Sequence, residues 1–281
     1  MSSILTNNGA MVALQTLKSV NDELNDTQTS ISTGKEIGTA KDNSAVWAIS
    51  KTMESDIAGF EAIEEGLAIG EATVAVASAG AEQIVEKLTE IKELIVSGQS
   101  ENVDHATIQT DIDSKVEQVE AIISAAQFNG ANLLNDTVDG TESSLGVLAS
   151  LDRVGAGGTV TAVEISIDAV GFESSLDLAT NLTEITDTAT ASSALDQIED
   201  FLQTAITGAA ALGADAARLD DQSKFVSELV DSMTMGVSTM TDTNMEEASA
   251  RLSALQTQQD LAIQSLTIAN EAPSSLQQLF R

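Results

Sequence analysis

The chain has 281 residues, of which 42% are hydrophobic and only 2% aromatic, with no Tyr, one Trp and one Pro. This is enough apolar material for a substantial core, and low Pro with abundant Ala, Leu, Gln and Glu favours long helices over a β-sandwich or an aromatic-lined barrel. Twelve basic residues against 44 acidic ones leave a net charge of −32, which argues against nucleic-acid and membrane partners, while zero Cys and a single His exclude disulfides, thiol catalysis and multi-histidine metal sites.

Apolar spacing predicts the elements in turn. Ala10, Ala13, Leu17, Val20, Leu24, Thr27 and Ile31 alternate steps of three and four, the seam of a coiled-coil helix. Gly34 and Gly38 mark where that helix gives way to a linker. A second seam starts at Phe60 and runs through Ile63, Leu67, Gly70, Val74, Ala77, Ala81, Ile84, Leu88, Ile91 and Ile95, with Ser97-Gly98 as its stop. Ile108, Ile112, Val116, Val119 and Ile123 predict a third helix over 104–127, antiparallel to the second because the connection is short and polar.

Residues 131–190 change character. Gly155-Ala156-Gly157-Gly158 predicts a loop, and Val163, Ile165, Ile167 and Ala169 alternate with polar residues as a strand does. The longest seam follows: Leu195, Ile198, Leu202, Ala205, Ala209, Leu212, Ala216, Leu219, Ser223, Val226, Val230, Met233, Val237 and Met240. Residues 244–279 are helical again through Leu252, Leu255, Ala262, Leu266 and Ala269, interrupted only at Pro273. The expected fold is mainly α: a long antiparallel coiled-coil bundle with a small β-rich module, whose two termini pair as inner helices.

Charge is distributed unevenly. Residues 1–50 hold three basic and five acidic residues, and residues 241–281 hold two and five, so nearly all of the excess lies between them. Near-neutral helical ends on an acidic body suit ends that are buried against copies of themselves. The amino terminus lacks the basic and apolar regions of a cleaved signal peptide, and no run reaches the roughly 18 apolar residues of a spanning helix.

Individual polar residues point to no chemistry. His105, beside Asp104, lacks the partners a metal or acid–base role requires, and Asp111/Asp113 and Asp220/Asp221 lack the glycine-containing spacing of a calcium loop. Trp47 is expected as a packing anchor at a domain junction. No catalytic residue, cofactor or metal is expected.

The words of the sequence are more specific than its pattern. Ser30-Ile31-Ser32-Thr33-Gly34-Lys35-Glu36-Ile37-Gly38-Thr39-Ala40-Lys41-Asp42-Asn43-Ser44-Ala45 resembles the amino-terminal signature of bacterial flagellins. Three further blocks agree in order: Glu86 to Val96, Gln127-Phe128-Asn129-Gly130 with Leu133-Leu134, and Leu261 to Arg281. The resemblance implies a structural, non-enzymatic subunit that polymerises into the extracellular flagellar filament used for swimming. It also implies export through the flagellar type III apparatus without cleavage, assembly under the cap, a secretion chaperone at the C-terminal helix, and contact with hook-associated proteins. Termini that order only on assembly are part of the same pattern.

Domains follow from the resemblance: an inner helical domain of residues 1–43 and 241–281, and an outer domain of 44–240 with a variable module at about 137–190. Ala10, Ala13, Leu17, Val20, Leu24, Ile31, Leu252, Leu255, Ala262, Leu266 and Ala269 are expected to pack subunits in the inner core, and Leu88, Ile91, Ile95, Leu212, Leu219 and Val226 to pack the outer domain. Glu90, Glu93 and Leu94 match the flagellin epitope of Toll-like receptor 5, in which an arginine stands where this chain has Glu90, so weak or absent receptor activation is expected. The nearest alternative is a hook–filament junction protein, which shares the terminal helices. A secreted enzyme is disfavoured because the insertion is short and lacks His and Cys.

Overall fold

A computed structural model describes residues 7–153 and 158–279, with side chains described as far as Glu271. The elements in chain order are α1 (Asn8–Thr33), α2 (Ser44–Ser97), α3 (His105–Ala125), β1 (Ser144–Arg153), β2 (Val160–Asp168), the single turns α4 (Phe172–Ser175) and α5 (Leu178–Asn181), α6 (Thr188–Thr241) and α7 (Met245–Leu279). They form two compact units, Met1–Ile57 with Ser232–Arg281, and Ala58–Asp231.

Short polar side chains start the helices. Asn7 caps α1 by accepting from the Ala10 N–H, and Asn43 accepts from Ala45 and Val46 at the start of α2. Asp104 and Asp187 do the same for α3 and α6, and hydrogen bonds from Thr107 and Thr190 respectively hold both carboxyls below the usual range. Gly34 ends α1 in the left-handed region at φ 73°, a conformation a side chain would strain. Gly38 has no such φ, so the stop rests on Gly34 alone.

In the second unit, α2 is the central element. Phe60, Leu67, Val74, Ala81, Leu88 and Ile95 recur every seven residues and are buried, and so are Ile63, Gly70, Ala77, Ile84 and Ile91 on the adjoining stripe. The two stripes are the a and d positions of one seam, and buried Thr73 and Gly80 beside them widen that face toward Ile122 and Ala126. On α6 one stripe is fully buried, Ala191, Ile198, Ala205, Leu212, Leu219 and Val226, while Leu195, Leu202, Ala209 and Ala216 are half-buried. The helix α3 runs antiparallel to α2: His105 bonds the carbonyl of Gly98, Lys115 bonds Glu90, and Ala126 lies against Gly80.

The β-rich module is an antiparallel hairpin of β1 and β2, from Ser144 opposite Asp168 to Arg153 opposite Val160. Its buried side chains are Val147, Ala149, Ile165 and Ile167. Glycine lets this face approach the helices. A Cβ on Gly70 would stand 2.8 Å from Val147, and one on Gly59 2.7 Å from Leu151. Beside the hairpin, a Cβ on Gly208 would stand 2.6 Å from the fully buried ring of Phe172. Before β1, Asp139 closes a turn by accepting from the Glu142 N–H and from the hydroxyl and N–H of Thr141, which pull its carboxyl down to about 2.

Three expectations are corrected. The helix α2 begins at Ser44, well before Phe60, because Asn43 caps it there; the apolar period is hidden where Ser50, 2% exposed, takes a buried position and bonds the carbonyl of Trp47. The module has a second strand, β1, in which Leu145, Val147, Ala149 and Leu151 alternate but apolar Leu148 between them blurs the pattern; its pairing register shifts between Leu148 and Ser150. Finally, α7 continues through Pro273 to Leu279. The loop expected at Gly155-Ala156-Gly157 lies outside the described residues.

Candidate functional site

In the first unit α1 and α7 pair along their length. Asn7 meets Ala269, Asn21 bonds Gln259 at 2.6 Å, and Val20 and Leu24 cluster with Leu255 and Leu252, so the two helices run antiparallel. The seam is narrow. Ala13, Val20 and Thr27 recur every seven residues on α1, as do Ala248, Leu255 and Ala262 on α7, and these with Leu24 are the buried positions. Ala10, Leu17, Ile31, Leu252, Leu266 and Ala269 flank them and are half-buried. The residues expected in the inner core are thus buried or half-buried on α1 and α7, and Val20, Leu24, Leu252 and Leu255 among them pack together within the chain.

The seam leaves much apolar surface outside it. Met11, Val12 and Leu14 are 67%, 63% and 58% exposed, and Leu261, Ile263 and Ile268 are 59%, 49% and 64% exposed. A helix pair whose buried positions are three Ala, two Leu, one Val and one Thr has little burial to stabilise it, because most helical stability in proteins comes from packing of the apolar face. Met11 and Leu14 stand one turn apart on α1, and it is contiguous exposed apolar surface, unlike scattered exposed residues, that marks a face meeting another molecule.

Below this pair, the linkers join in a short ladder. Glu36 and Ile37 donate to the carbonyl of Thr241, and Thr243 donates to that of Gly34. Asp42 ties the loop by accepting from the backbone of Gly38 and Thr39 and from the Thr39 hydroxyl. Lys35 and Lys51 both pair with Glu54. Trp47 is half-buried in the first turn of α2. The signature stretch from Ser30 to Ala45 thus carries a helix stop, a backbone bridge to the returning chain and the start of the next helix.

The outer residues Leu88, Ile91, Ile95, Leu212, Leu219 and Val226 are all fully buried within the second unit. Glu90 is placed differently from a free surface carboxylate. It pairs with Lys115 on α3 and with Lys87 one turn earlier, the latter at 2.8 Å, and the two ammonium groups hold its carboxyl below the usual range. Glu93 is exposed and Leu94 half-buried. His105 donates through Nε2 to the Gly98 carbonyl at 2.9 Å, joining the end of α2 to the start of α3. Asp111, Asp113, Asp220 and Asp221 face solvent, and Asp220 pairs with Lys224. Among the described residues no three His, Asp or Glu side chains converge as a metal site requires, and no helix is long and apolar enough to cross a membrane.

The bacterial flagellin N-terminal helical region matches residues 4–139, and the bacterial flagellin C-terminal helical region matches residues 195–280. The chain belongs to the flagellin family. It is 39% identical over 285 residues to a flagellin of Brucella melitensis, covering all of both chains. It is 37% identical over 284 residues to flagellin FljK of Caulobacter vibrioides, covering all of this chain and 99% of that one. A crystal structure of Bacillus cereus flagellin aligns with 57% of this chain and 88% of its own, at a TM-score of 0.48 and 18% identity. The two family regions of this flagellin leave only residues 140–194 between them, which hold the β1–β2 hairpin, α4, α5 and the start of α6.

Proposed function

We infer that this chain is the structural subunit of a bacterial flagellar filament, and that copies join through the apolar surface of α1 and α7 that lies outside their shared seam. The supporting observation is the exposure of Met11, Val12, Leu14, Leu261, Ile263 and Ile268 on a unit that is close to neutral. Six basic and twelve acidic residues give the first unit −6, whereas six basic and 32 acidic residues give the second −26. Apolar contact is favoured where self-repulsion is weakest. In this reading residues 1–43 and 241–281 form the inner helical layer and residues 44–240 the outer one. The work done is mechanical and no catalytic step is involved. Export through the type III apparatus, capped assembly at the tip, a chaperone on the C-terminal helix and hook-associated neighbours belong to the same proposal.

Electron microscopy of purified subunits after seeding, with circular dichroism before and after, tests it. Long helical tubes with a rise in helicity are expected. Short rings would transfer the chain to the junction class, and persistent monomers would defeat the reading.

For Toll-like receptor 5 the expected outcome is weak or absent binding. The position taken by arginine in stimulatory flagellins here holds Glu90, whose oxygens are already occupied by Lys115 and Lys87. What is missing is a guanidinium fork able to donate to the receptor, more than any repulsion from a bare carboxylate. Direct binding of monomer to the receptor ectodomain checks this, and nanomolar affinity would contradict it.

A further inference from the structure

Pro273 lies within α7 and has no N–H, so the carbonyl four residues earlier, that of Ala269, loses its usual helical donor. A backbone acceptor left this way is ordinarily supplied with another partner. Here the partner comes from the other end of the chain: Asn7 Nδ2 donates to the Ala269 carbonyl at 2.7 Å. The same side chain uses its Oδ1 to cap α1, accepting from the Ala10 N–H at 3.1 Å. Gly9 stands beside Ala269 as well, where a Cβ would make ordinary van der Waals contact with the Ala269 Cβ at 3.8 Å.

We propose that Asn7 and Pro273 form a register latch, in which one amide completes both helix ends at once and makes order in the far turns of α7 depend on docked α1. The dependence is one-sided: α7 needs the Asn7 donor, whereas the α1 cap is made within α1 itself. When α1 is absent, α7 has a carbonyl without its helical donor at Ala269 and frays from there; when α7 is absent, α1 keeps its cap but the amide has no acceptor. The two chemical halves of Asn7 are therefore distinguishable by substitution. Asn7→Asp keeps the capping oxygen and loses the donor, because aspartate caps helices about as well as asparagine. Pro273→Ala restores a backbone N–H for Ala269 and makes the Asn7 donor redundant.

The latch lies within one chain and is read in whichever form, free or assembled, has α1 docked on α7. Its test is hydrogen exchange of the α7 amides around and beyond Ala269 in the full-length chain. Four chains are compared: the parent, Asn7→Asp, Pro273→Ala and the double variant, each as free subunit and after seeding. In the Pro273 background Asn7→Asp is expected to speed exchange about 5-fold, which at ~1.4 kcal/mol per tenfold corresponds to about 1 kcal/mol. In the Pro273→Ala background the same substitution should change exchange less than about 2-fold, the remainder of one redundant hydrogen bond. Equal effects in both backgrounds would reduce Asn7 to a simple cap and overturn the latch. Exchange at unfolded-chain rates in every form of the parent would also overturn it.

Discussion

Glutamate at both Val12 and Leu14 is expected to abolish filament formation while leaving the free subunit folded as before. Both side chains are mostly in water in the single chain, 63% and 58% exposed, and glutamate is a better helix former than valine. Surface changes of this kind cost the isolated fold about 0.5 kcal/mol or less. In an assembled contact the balance reverses. Each replacement removes an apolar side chain worth roughly 1.5–3 kcal/mol when fully buried and asks a carboxylate to leave water without a partner. Two such losses repeat in every subunit, so a critical concentration raised by about 100-fold or more, roughly 2.7 kcal/mol, is a conservative expectation. Sedimentation and electron microscopy after seeding read the assembly, and circular dichroism of the free chain reads the fold. Leu24→Glu provides the contrast, because Leu24 lies in the α1–α7 seam and its loss should damage the pair itself. Filaments from the double variant at the parental critical concentration would place the subunit contacts elsewhere.

How much was legible depends on whether a signal is local. The double stripe of α2 and the single stripe of α6 are written in residues three, four and seven apart, so periodicity alone locates both helices and their cores. The start of α2 was hidden because Ser50 takes a buried place by bonding its own backbone, which no hydropathy pattern marks. Strand β1 was hidden by Leu148, an apolar residue half-buried between Val147 and Ala149 of the buried face, which blurs their alternation. Pro273 is a true breaker of helical bonds, yet its effect is offset by a side chain 262 positions away from the affected carbonyl. The charge of Glu90 was plain from sequence; its neutralisation by Lys115, 25 residues on, required the antiparallel packing of α3. The functional surface is the least legible part. The heptad seam of α1 and α7 marks what pairs within the chain, and the proposed assembly face is what remains exposed once that pairing is known.

The second large effect concerns salt. The unit of residues 58–231 carries −26, and among its described lysines every one is already paired with a carboxylate of the same chain: Lys87 and Lys115 with Glu90, Lys92 with Glu199, Lys224 with Asp220. In the proposed assembly, copies brought together by their near-neutral ends bring their acidic units close without spare lysines to bridge them. That repulsion acts over the Debye length, about 30 Å at 0.01 M salt, about 8 Å at 0.15 M and about 3 Å at 1 M. At the lowest of these it spans neighbouring subunits, and at the highest it reaches little beyond a direct contact. The apolar attraction between α1 and α7 faces is not weakened by screening, and strongly hydrated salts strengthen it. Critical concentration should accordingly fall at least about tenfold, or ~1.4 kcal/mol, from 0.01 to 0.15 M sodium chloride and continue to fall more gently toward 1 M. Sodium and potassium chloride should act alike, because screening depends on ionic strength and no cation site is invoked. A critical concentration that stayed constant across this range would mean that the acidic units stand too far apart to interact, and the charge asymmetry would then need a different explanation.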